Sequence, residues 1–207
     1  SDIGCYTLAV DMGTIDTCLC MGGSIGMANG LRKAGEKRPI FALLGDSTFF
    51  HSGIPSLANC VYNGTNITIV VLDNLATAMT GFQPHPGTGV KLNGELSKKI
   101  KIEDIAKSFG VEFIEIVDNY DLEACLNVIM NAIDWMNQDK GPALIIARHQ
   151  CALLETKGKK ITPYYINLDE CNQCRICLST FGCPAITTDG EKIFINSGIS
   201  WILIPLV

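Results

Sequence analysis

Short apolar runs rich in β-branched residues alternate with helical patterns along most of this chain, and this alternation limits the possible folds. The runs at 40–45 and 67–73 predict strands buried on both faces, and residues 52–62 between them carry apolar side chains at helical spacing. The pattern continues with a helix at 102–108, a strand at 111–117, a helix at 122–136 and a strand at 142–147. Such alternation predicts an α/β fold in which helices flank a parallel sheet.

Composition argues against several classes of protein. The 207 residues are 47% hydrophobic with a formal net charge of −5, and they contain no block of basic residues, so nucleic-acid binding is not expected. No apolar run approaches the roughly 20 residues that a membrane-spanning helix requires. Residues 1–5 lack a signal-peptide pattern, so the ten cysteines predict reduced thiols in the cytoplasm. Four of them, Cys5, Cys60, Cys125 and Cys151, have apolar neighbours and are predicted to be core residues.

Four other cysteines fall within thirteen residues near the end of the sequence. Cys171, Cys174 and Cys177 follow one another at intervals of three, and Cys183 precedes a proline. Three thiolates at this spacing predict a [4Fe-4S] cluster of the ferredoxin type, with a zinc site as the alternative. The five residues between the third and fourth cysteines exceed the usual three, which is a departure from the bacterial ferredoxin pattern.

A change in composition predicts two domains. Charged residues and glycine replace the apolar pattern at 156–160, and a proline follows. We therefore predict one domain at 1–155, a linker at 156–163 and a small ferredoxin-like iron–sulfur domain at 164–207. That second domain is expected to be incomplete, because the apolar stretch 199–207 stands where a second cysteine run would follow.

Polar residues at the ends of the first two predicted strands suggest a ligand site. Gly45 and Asp46 end one strand and Asn74 follows the next, so they are expected to meet at the carboxyl edge of the sheet. Carboxylate and amide oxygens suit Mg²⁺, which shares its ligands with phosphates. Helices predicted to start at Ser24 and Ser52 would point their amino-terminal dipoles at a diphosphate. The alternative is two ordinary strand-to-helix turns with an acid that caps a helix.

This spacing resembles the thiamine-diphosphate motif, which begins Gly-Asp-Gly and ends in Asn-Asn. Ser47 replaces the last glycine of the first element, and Asp73 replaces the first asparagine of the second. The resemblance implies that Asp46 and Asn74 bind Mg²⁺ through their side chains and Ala76 through its backbone carbonyl.

Other segments resemble the 2-oxoacid:ferredoxin oxidoreductases. Residues 78–83 are similar to the Met-Thr-Gly-Gly-Gln segment of that family, and residues 18–24 stand in the place of its cofactor-binding loop. The segments 2–8, 45–53 and 86–89 are similar to the large (alpha) subunits of the indolepyruvate type. The resemblance implies cofactor contacts at Cys20, Met21, Gly22, Gly23, Ser24, Gly45, Asp46, Ser47, Asn74, Ala76, Ala78, Met79 and Thr80.

The resemblance also implies an enzymatic activity. Members of this family use thiamine diphosphate and Mg²⁺ to decarboxylate a 2-oxoacid oxidatively, and they pass electrons through iron–sulfur clusters to ferredoxin and the acyl group to coenzyme A. Indolepyruvate or another arylpyruvate is the substrate implied here. Two alternatives are a non-oxidative thiamine-diphosphate decarboxylase and a non-catalytic iron–sulfur electron-transfer protein.

Further partners follow from the same resemblance. The family activates the cofactor with a glutamate from a separate pyrimidine-binding domain, and no residues precede Ser1 to supply it. We therefore expect a further domain, a second subunit and an oligomer, with weak cofactor binding by the isolated chain. Among the three histidines, His51 is predicted to contact substrate or act in catalysis, His85 to lie near the pocket mouth and His149 to be structural.

Overall fold

The computed structural model describes residues 1–159, 164–180 and 185–196. They divide into two compact units. The first comprises Ser1–Val10 and Ile15–Cys151, and the second comprises Asp11–Thr14 and the described residues after Cys151. The predicted linker at 156–163 lies partly outside the described residues, and the apolar stretch 199–207 lies wholly outside them.

A four-stranded sheet forms the centre of the first unit. Its strands are β1 (Phe41–Gly45), β2 (Thr68–Asp73), β3 (Phe113–Val117) and β4 (Ala143–Arg148). They lie in the order β1-β2-β4-β3, and every neighbouring pair is parallel. The predicted α/β fold is therefore confirmed. Because all four strands run the same way, their carboxyl ends share one edge of the sheet.

Helices cover both faces of this sheet. The α-helices of the first unit are α1 (Gly23–Lys33), α2 (Asp46–Thr48), α3 (Ile54–Tyr62), α4 (Ile102–Ser108) and α5 (Leu122–Asn137). Short 3-10 helices span Cys5–Val10 and Ala78–Thr80. Alternate strand residues face opposite layers: Val71 and Ile146 pack with α1, α3 and α4, whereas Ile145 packs with Ala132 of α5. Both layers are apolar, which explains why β1 and β2 read as continuous apolar runs.

The helix after β1 begins earlier than predicted. The sequence pattern placed its start at Ser52, but the chain becomes helical at Asp46 and stays so, through a π-helical segment at Phe49–Gly53, to Tyr62. Pro55 has no N–H to donate to the preceding turn, and the wider π-helical turn lies directly before it. A short π-helical insertion shifts the apolar spacing, so periodicity alone does not reveal the first turns.

The second unit contains short elements. Helices α6 (Ala152–Glu155) and α7 (Ile176–Ser179) are followed by an antiparallel hairpin of β5 (Ile186–Thr188) and β6 (Ile193–Ile195). The guanidinium of Arg175 donates to the carbonyl of Gly190, 2.8 Å away, and so joins the cysteine segment to the hairpin turn. In the described part of the chain, no helix combines the length and the apolar character needed to cross a bilayer.

Candidate functional site

A cavity of about 190 Å³ opens at the carboxyl edge of the sheet. Three parts of the first unit line it: residues 3–6 with Met21, residues 45–48 and residues 72–80. Most of the predicted cofactor contacts are on its wall, namely Met21, Gly45, Asp46, Ser47, Asn74, Ala76, Ala78, Met79 and Thr80. Of the other predicted contacts, Cys20, Gly22, Gly23 and Ser24 do not line the cavity.

Asp46 is a buried carboxylate in this wall. Its side chain accepts a hydrogen bond from the backbone N–H of Ser47 at Oδ1, over 2.7 Å, and lies 3.0 Å from Nε2 of His85 at Oδ2. The residue starts the helical segment that follows β1, so its carboxylate lies where helix N–H groups are unpaired. A buried carboxylate in contact with a backbone N–H and a histidine ring is unlike a solvent-exposed helix cap.

A tight turn after β2 brings Asn74 and Ala76 together. The backbone N–H of Ala76 donates to Oδ1 of Asn74 across 3.2 Å. Leu75 between them has a φ of 61°, in the left-handed region that branched residues rarely adopt. Such strain persists only where surrounding structure holds it, and it often occurs at ligand sites. The turn therefore presents one amide and one backbone segment to the same cavity.

A second carboxylate, Asp2, joins the segments around the cavity. Asp2 is fully buried and accepts hydrogen bonds from the N–H of Gly22 (2.8 Å), from the hydroxyl of Ser24 (3.3 Å) and from the hydroxyl of Tyr6. The N–H of Gly45 in turn donates to the Tyr6 oxygen over 3.0 Å. Burial raises the pKa of Asp2, and these hydrogen bonds partly offset the rise. Burial and the Asp2 carboxylate likewise raise the pKa of Tyr6. Sequence reasoning did not assign a role to either residue.

Asp73 is neutralised behind the cavity wall by a cation from β4. Arg148 donates to Asp73 over 2.6 Å and to Glu103 over 2.9 Å. Burial raises the pKa of Asp73; Arg148 opposes the rise, and the neighbouring Asp46 adds to it. Burial also acts against the charge of Glu103, but the hydrogen bonds from Arg148 and the backbone, together with the charges of Arg148 and Lys101, lower the pKa of that residue. Asp73, which stands where the motif has asparagine, is thus part of a charged network with Arg148 and Glu103.

Gly22 fits against Ser52 so closely that no larger residue is accommodated. Its φ is 86°, and an added Cβ would lie 2.0 Å from the Ser52 hydroxyl oxygen. We expect Gly22→Ala to lower the free energy of unfolding by about 1–3 kcal/mol through overpacking and backbone strain, measured by denaturant titration. The matched control is Gly26→Ala on the exposed side of α1, where nothing lies within 4 Å. That variant should be more stable by about 0.5–1 kcal/mol, and equal effects of the two would contradict the packing argument.

The histidines differ in their surroundings. His51 is exposed in the π-helical segment and does not line the cavity, so its catalytic role stays a prediction. His85, expected near a pocket mouth, is almost fully buried against Asp46. His149 lies 3.0 Å from the Asp118 carboxylate and against the ring of Tyr120.

The cysteines also divide. Cys60 is buried, as predicted, and burial raises its pKa to about 12. Cys5 is exposed beside the cavity, so its assignment to the core was wrong; Cys125 and Cys151 are half-buried. The position of Cys5 is set by a short 3-10 helix, which has no periodic sequence signal.

The predicted cluster ligands lie in the second unit. Cys171 and Cys177 are half-buried and Cys174 is exposed, whereas Cys183 lies outside the described residues. Within residues 1–159, 164–180 and 185–196, no three histidine, cysteine, aspartate or glutamate side chains are close enough to hold a metal ion. The assignment of Cys171, Cys174, Cys177 and Cys183 to a cluster therefore stays a prediction.

Comparison with known families gives a match over residues 2–147, to the thiamine pyrophosphate enzyme, C-terminal TPP binding domain. The chain belongs to this family. The match covers the residues that line the cavity, the buried Asp2 and the sheet up to the next-to-last residue of β4. It does not reach the cysteines of the second unit.

Subunits of indolepyruvate oxidoreductases resemble the chain along most of its length. It is 46% identical over 212 residues to the indolepyruvate oxidoreductase subunit IorA of Pyrococcus abyssi, covering 93% of this chain and 32% of that protein. The IorA subunit of Archaeoglobus fulgidus is 44% identical over 205 residues, covering 96% of this chain and 32% of its own. The resemblance to the indolepyruvate type is therefore confirmed, and the chain spans about a third of the length of these relatives.

A solved structure supports the fold assignment of this thiamine pyrophosphate binding domain. The 2-oxoglutarate:ferredoxin oxidoreductase from Magnetococcus marinus, with 2-oxoglutarate, coenzyme A and succinyl-CoA bound, superposes with a TM-score of 0.61 at 18% identity. The superposition covers 72% of this chain and 53% of the other. At this identity the similarity establishes a shared fold.

Proposed function

We propose that this chain is the thiamine-diphosphate- and Mg²⁺-binding part of an indolepyruvate-type 2-oxoacid:ferredoxin oxidoreductase. The observation that carries the proposal is the meeting of Asp46, Asn74 and Ala76 at one cavity on the carboxyl edge of a parallel sheet. The family match and the IorA relatives support the same assignment.

The donor atoms fit the proposed cofactor and metal. Asp46 offers a carboxylate, Asn74 an amide oxygen and Ala76 a backbone carbonyl, all of them oxygen ligands of the kind that Mg²⁺ selects. Mg²⁺ usually keeps open positions for phosphate oxygens, so few protein ligands suffice. The backbone beside Gly45 and Ser47 also lines the cavity, which leaves room for a diphosphate close to the main chain.

The cofactor supplies an electron sink for cleavage of the bond between a carboxylate and a neighbouring carbonyl carbon. The residues of this chain bind and orient it. Asp46 and Asn74 hold the metal and thereby the diphosphate, while Met21 and Met79 line the cavity with apolar surface. Asp2 accepts hydrogen bonds from Gly22 and Tyr6, and Tyr6 accepts one from Gly45, so this chain of bonds links the loop at Gly22 to β1.

The second part of the proposal is a [4Fe-4S] cluster on Cys171, Cys174, Cys177 and Cys183. Its support is the ferredoxin-like spacing and two left-handed residues that flank Cys174, with φ of 56° at Gln173 and 61° at Arg175. Alternating left-handed residues turn successive N–H groups to one side, which is common at iron–sulfur and anion sites. Zinc is the alternative occupant of these thiols.

The substrates and partners extend this proposal. The IorA relatives favour indolepyruvate or another arylpyruvate, and ferredoxin, the acceptor in the name of the Magnetococcus marinus neighbour, is the proposed electron acceptor. Coenzyme A is bound in the Magnetococcus marinus neighbour and is the proposed acyl acceptor. Since the chain spans a third of its relatives, we propose that a pyrimidine-binding domain and a second subunit complete an oligomeric enzyme. The cytoplasmic location stays a prediction from cysteine usage.

Calorimetric titration of anaerobically purified chain with thiamine diphosphate tests the first part of the proposal. We expect saturable binding in Mg²⁺ that is lost in EDTA. The first part of the proposal would be contradicted if the chain bound no thiamine diphosphate either by itself or after addition of the pyrimidine-binding domain of a relative. With partner subunits, aldehyde formed from arylpyruvate without electron transfer would identify a non-oxidative decarboxylase. A cluster without any thiamine binding would identify an electron-transfer protein.

Iron and sulfide analysis tests the cluster. We expect about four irons per anaerobically purified chain, and Cys174→Ser should reduce iron and sulfide together by more than about half. Cys125→Ser, a half-buried thiol on α5 in the first unit, is the matched control and should leave both unchanged. Stoichiometric zinc in place of iron would refute the iron–sulfur assignment.

A further inference from the structure

We propose that His85 is a positioning residue for the proposed metal ligand Asp46, acting as a neutral imidazole whose Nε2–H holds the carboxylate in place. The inference rests on the proposed function, because it concerns the same metal site. It assigns a specific role to a residue that neither the thiamine motif nor the predicted cofactor contacts include.

The contact between the two side chains is buried. Nε2 of His85 lies 3.0 Å from Oδ2 of Asp46, and their side chains are 6% and 3% exposed. The other oxygen, Oδ1, accepts the N–H of Ser47 over 2.7 Å. Each carboxylate oxygen therefore has one donor and keeps acceptor capacity for a cation. Two donors on opposite oxygens also fix the rotation of the carboxylate plane.

A neighbouring hydrogen bond assigns the proton on the imidazole. The backbone N–H of Gly87 points at Nδ1 of His85, 3.1 Å away, so Nδ1 is the acceptor. In a neutral ring the proton is then on Nε2, which makes Nε2 the donor to Asp46. A histidine oriented in this way by its second nitrogen resembles the outer-shell groups that align metal ligands.

The loop around His85 is packed to keep the ring in this orientation. The ring lies against Phe50, with centroids 5.5 Å apart. The N–H and hydroxyl of Thr88 both donate to the His85 carbonyl, over 2.9 and 2.8 Å. A Cβ on Gly87 would lie 2.6 Å from the Phe50 ring and 3.0 Å from the imidazole, so this position accommodates glycine. Backbone and ring are thus both fixed, as a positioning role requires.

The expected effect is on metal affinity. Loss of an outer-shell partner usually lowers metal affinity about 10–100-fold. We expect His85→Leu, which keeps bulk but has no donor, to weaken Mn²⁺ binding to the chain by that factor at saturating thiamine diphosphate. His85→Gln carries an amide N–H near the position of Nε2 and should retain most of the affinity. Free Mn²⁺ is measured by electron paramagnetic resonance, and denaturant titration shows whether the two variants are equally folded.

Several results separate this role from the metal site itself. Unchanged Mn²⁺ affinity in His85→Leu, together with loss in Asp46→Ala, would overturn the role of His85 alone. Retained Mn²⁺ binding in Asp46→Ala would overturn the metal site and this role with it. Nitrogen-15 NMR of the unmodified chain, assigned by the signal lost in His85→Gln, is expected to show a protonated Nε2. A protonated Nδ1 would overturn the proposal even if a variant failed to fold.

Discussion

Replacing Asp46 with alanine is expected to lower the affinity for thiamine diphosphate in Mg²⁺ on the order of 100-fold or more. The carboxylate is the charged member of the proposed ligand set, and Mg²⁺ binds neutral oxygens alone only weakly. Asp46→Ala also leaves the N–H of Ser47 and Nε2 of His85 without their acceptor. The loss should be visible by calorimetry as disappearance of saturable heat.

Asp104→Ala is the matched control for that change. Asp104 is exposed in the first turn of α4, and its loss should leave cofactor affinity within about twofold because surface substitutions seldom act at a distance. In EDTA the unmodified chain and Asp46→Ala should behave alike. If Asp46→Ala bound the cofactor normally in Mg²⁺, the metal would have to be held elsewhere and the proposed ligand set would be wrong.

The second large effect is expected on stability, from Arg148→Met. Methionine keeps much of the bulk but removes the cation between Asp73 and Glu103, which are 5% and 11% exposed at their side chains. Breaking a fully buried pair costs about 3–5 kcal/mol. Arg148 is itself 26% exposed, so we expect the free energy of unfolding to fall by about 2–3 kcal/mol at pH 7. Denaturant titration measures the change.

Arg38→Met provides the control for loss of an arginine. Its side chain is 85% exposed beside Glu36, and removal of such a surface pair should leave the free energy of unfolding nearly unchanged. Adding Asp73→Asn to Arg148→Met should restore part of the loss, because it removes one of the uncompensated carboxylates. A double variant no more stable than Arg148→Met would contradict this explanation.

The loss of unfolding free energy in Arg148→Met should also depend on pH. In the unmodified chain, the lowered pKa of Glu103 stabilises the folded state at pH values above the pKa of this residue in the unfolded chain. That stabilisation is lost as the pH falls through the lowered pKa. Without Arg148, burial should raise the pKa of Asp73 further, and a raised carboxyl pKa favours the folded state at low pH. The effect of Asp73 reduces the difference between the two proteins as pH falls from 7 toward 5, and the effect of Glu103 reduces it further only below about pH 4.5, the unfolded value of that carboxyl group. A larger difference at pH 5 would contradict this assignment of charges.

Much of the fold could be predicted because its cause is local. The strands β1 and β2 begin one residue later than predicted and end where predicted. They were recognisable because burial on both faces demands an unbroken apolar run. The helix α4 has its predicted bounds, Ile102–Ser108. The start of the helix at Asp46 was missed because the π-helical segment at Phe49–Gly53 interrupts the apolar period.

The site was predictable only where topology determines it. Asp46 and Asn74 follow adjacent parallel strands, so their proximity comes from the sheet. The contacts of Asp2 with Gly22 and of His85 with Asp46 were not predicted, since their partners lie 20 and 39 positions away in the sequence. No periodicity or spacing in a single sequence reports such pairs. The cluster assignment on the later cysteines still depends on spacing, because Cys183 lies outside the described residues.

The strand order has a consequence for how the domain is completed during synthesis. Strand β4 is the last of the four to leave the ribosome, yet it lies between β2 and β3. Until it arrives, β2 lacks a neighbour on one side and β3 has no partner within this sheet. The same strand ends in Arg148, which neutralises Asp73. The step that closes the sheet therefore also delivers the counter-charge behind the cavity, so a nascent chain halted before residue 143 should have neither a complete sheet nor a neutralised cofactor site.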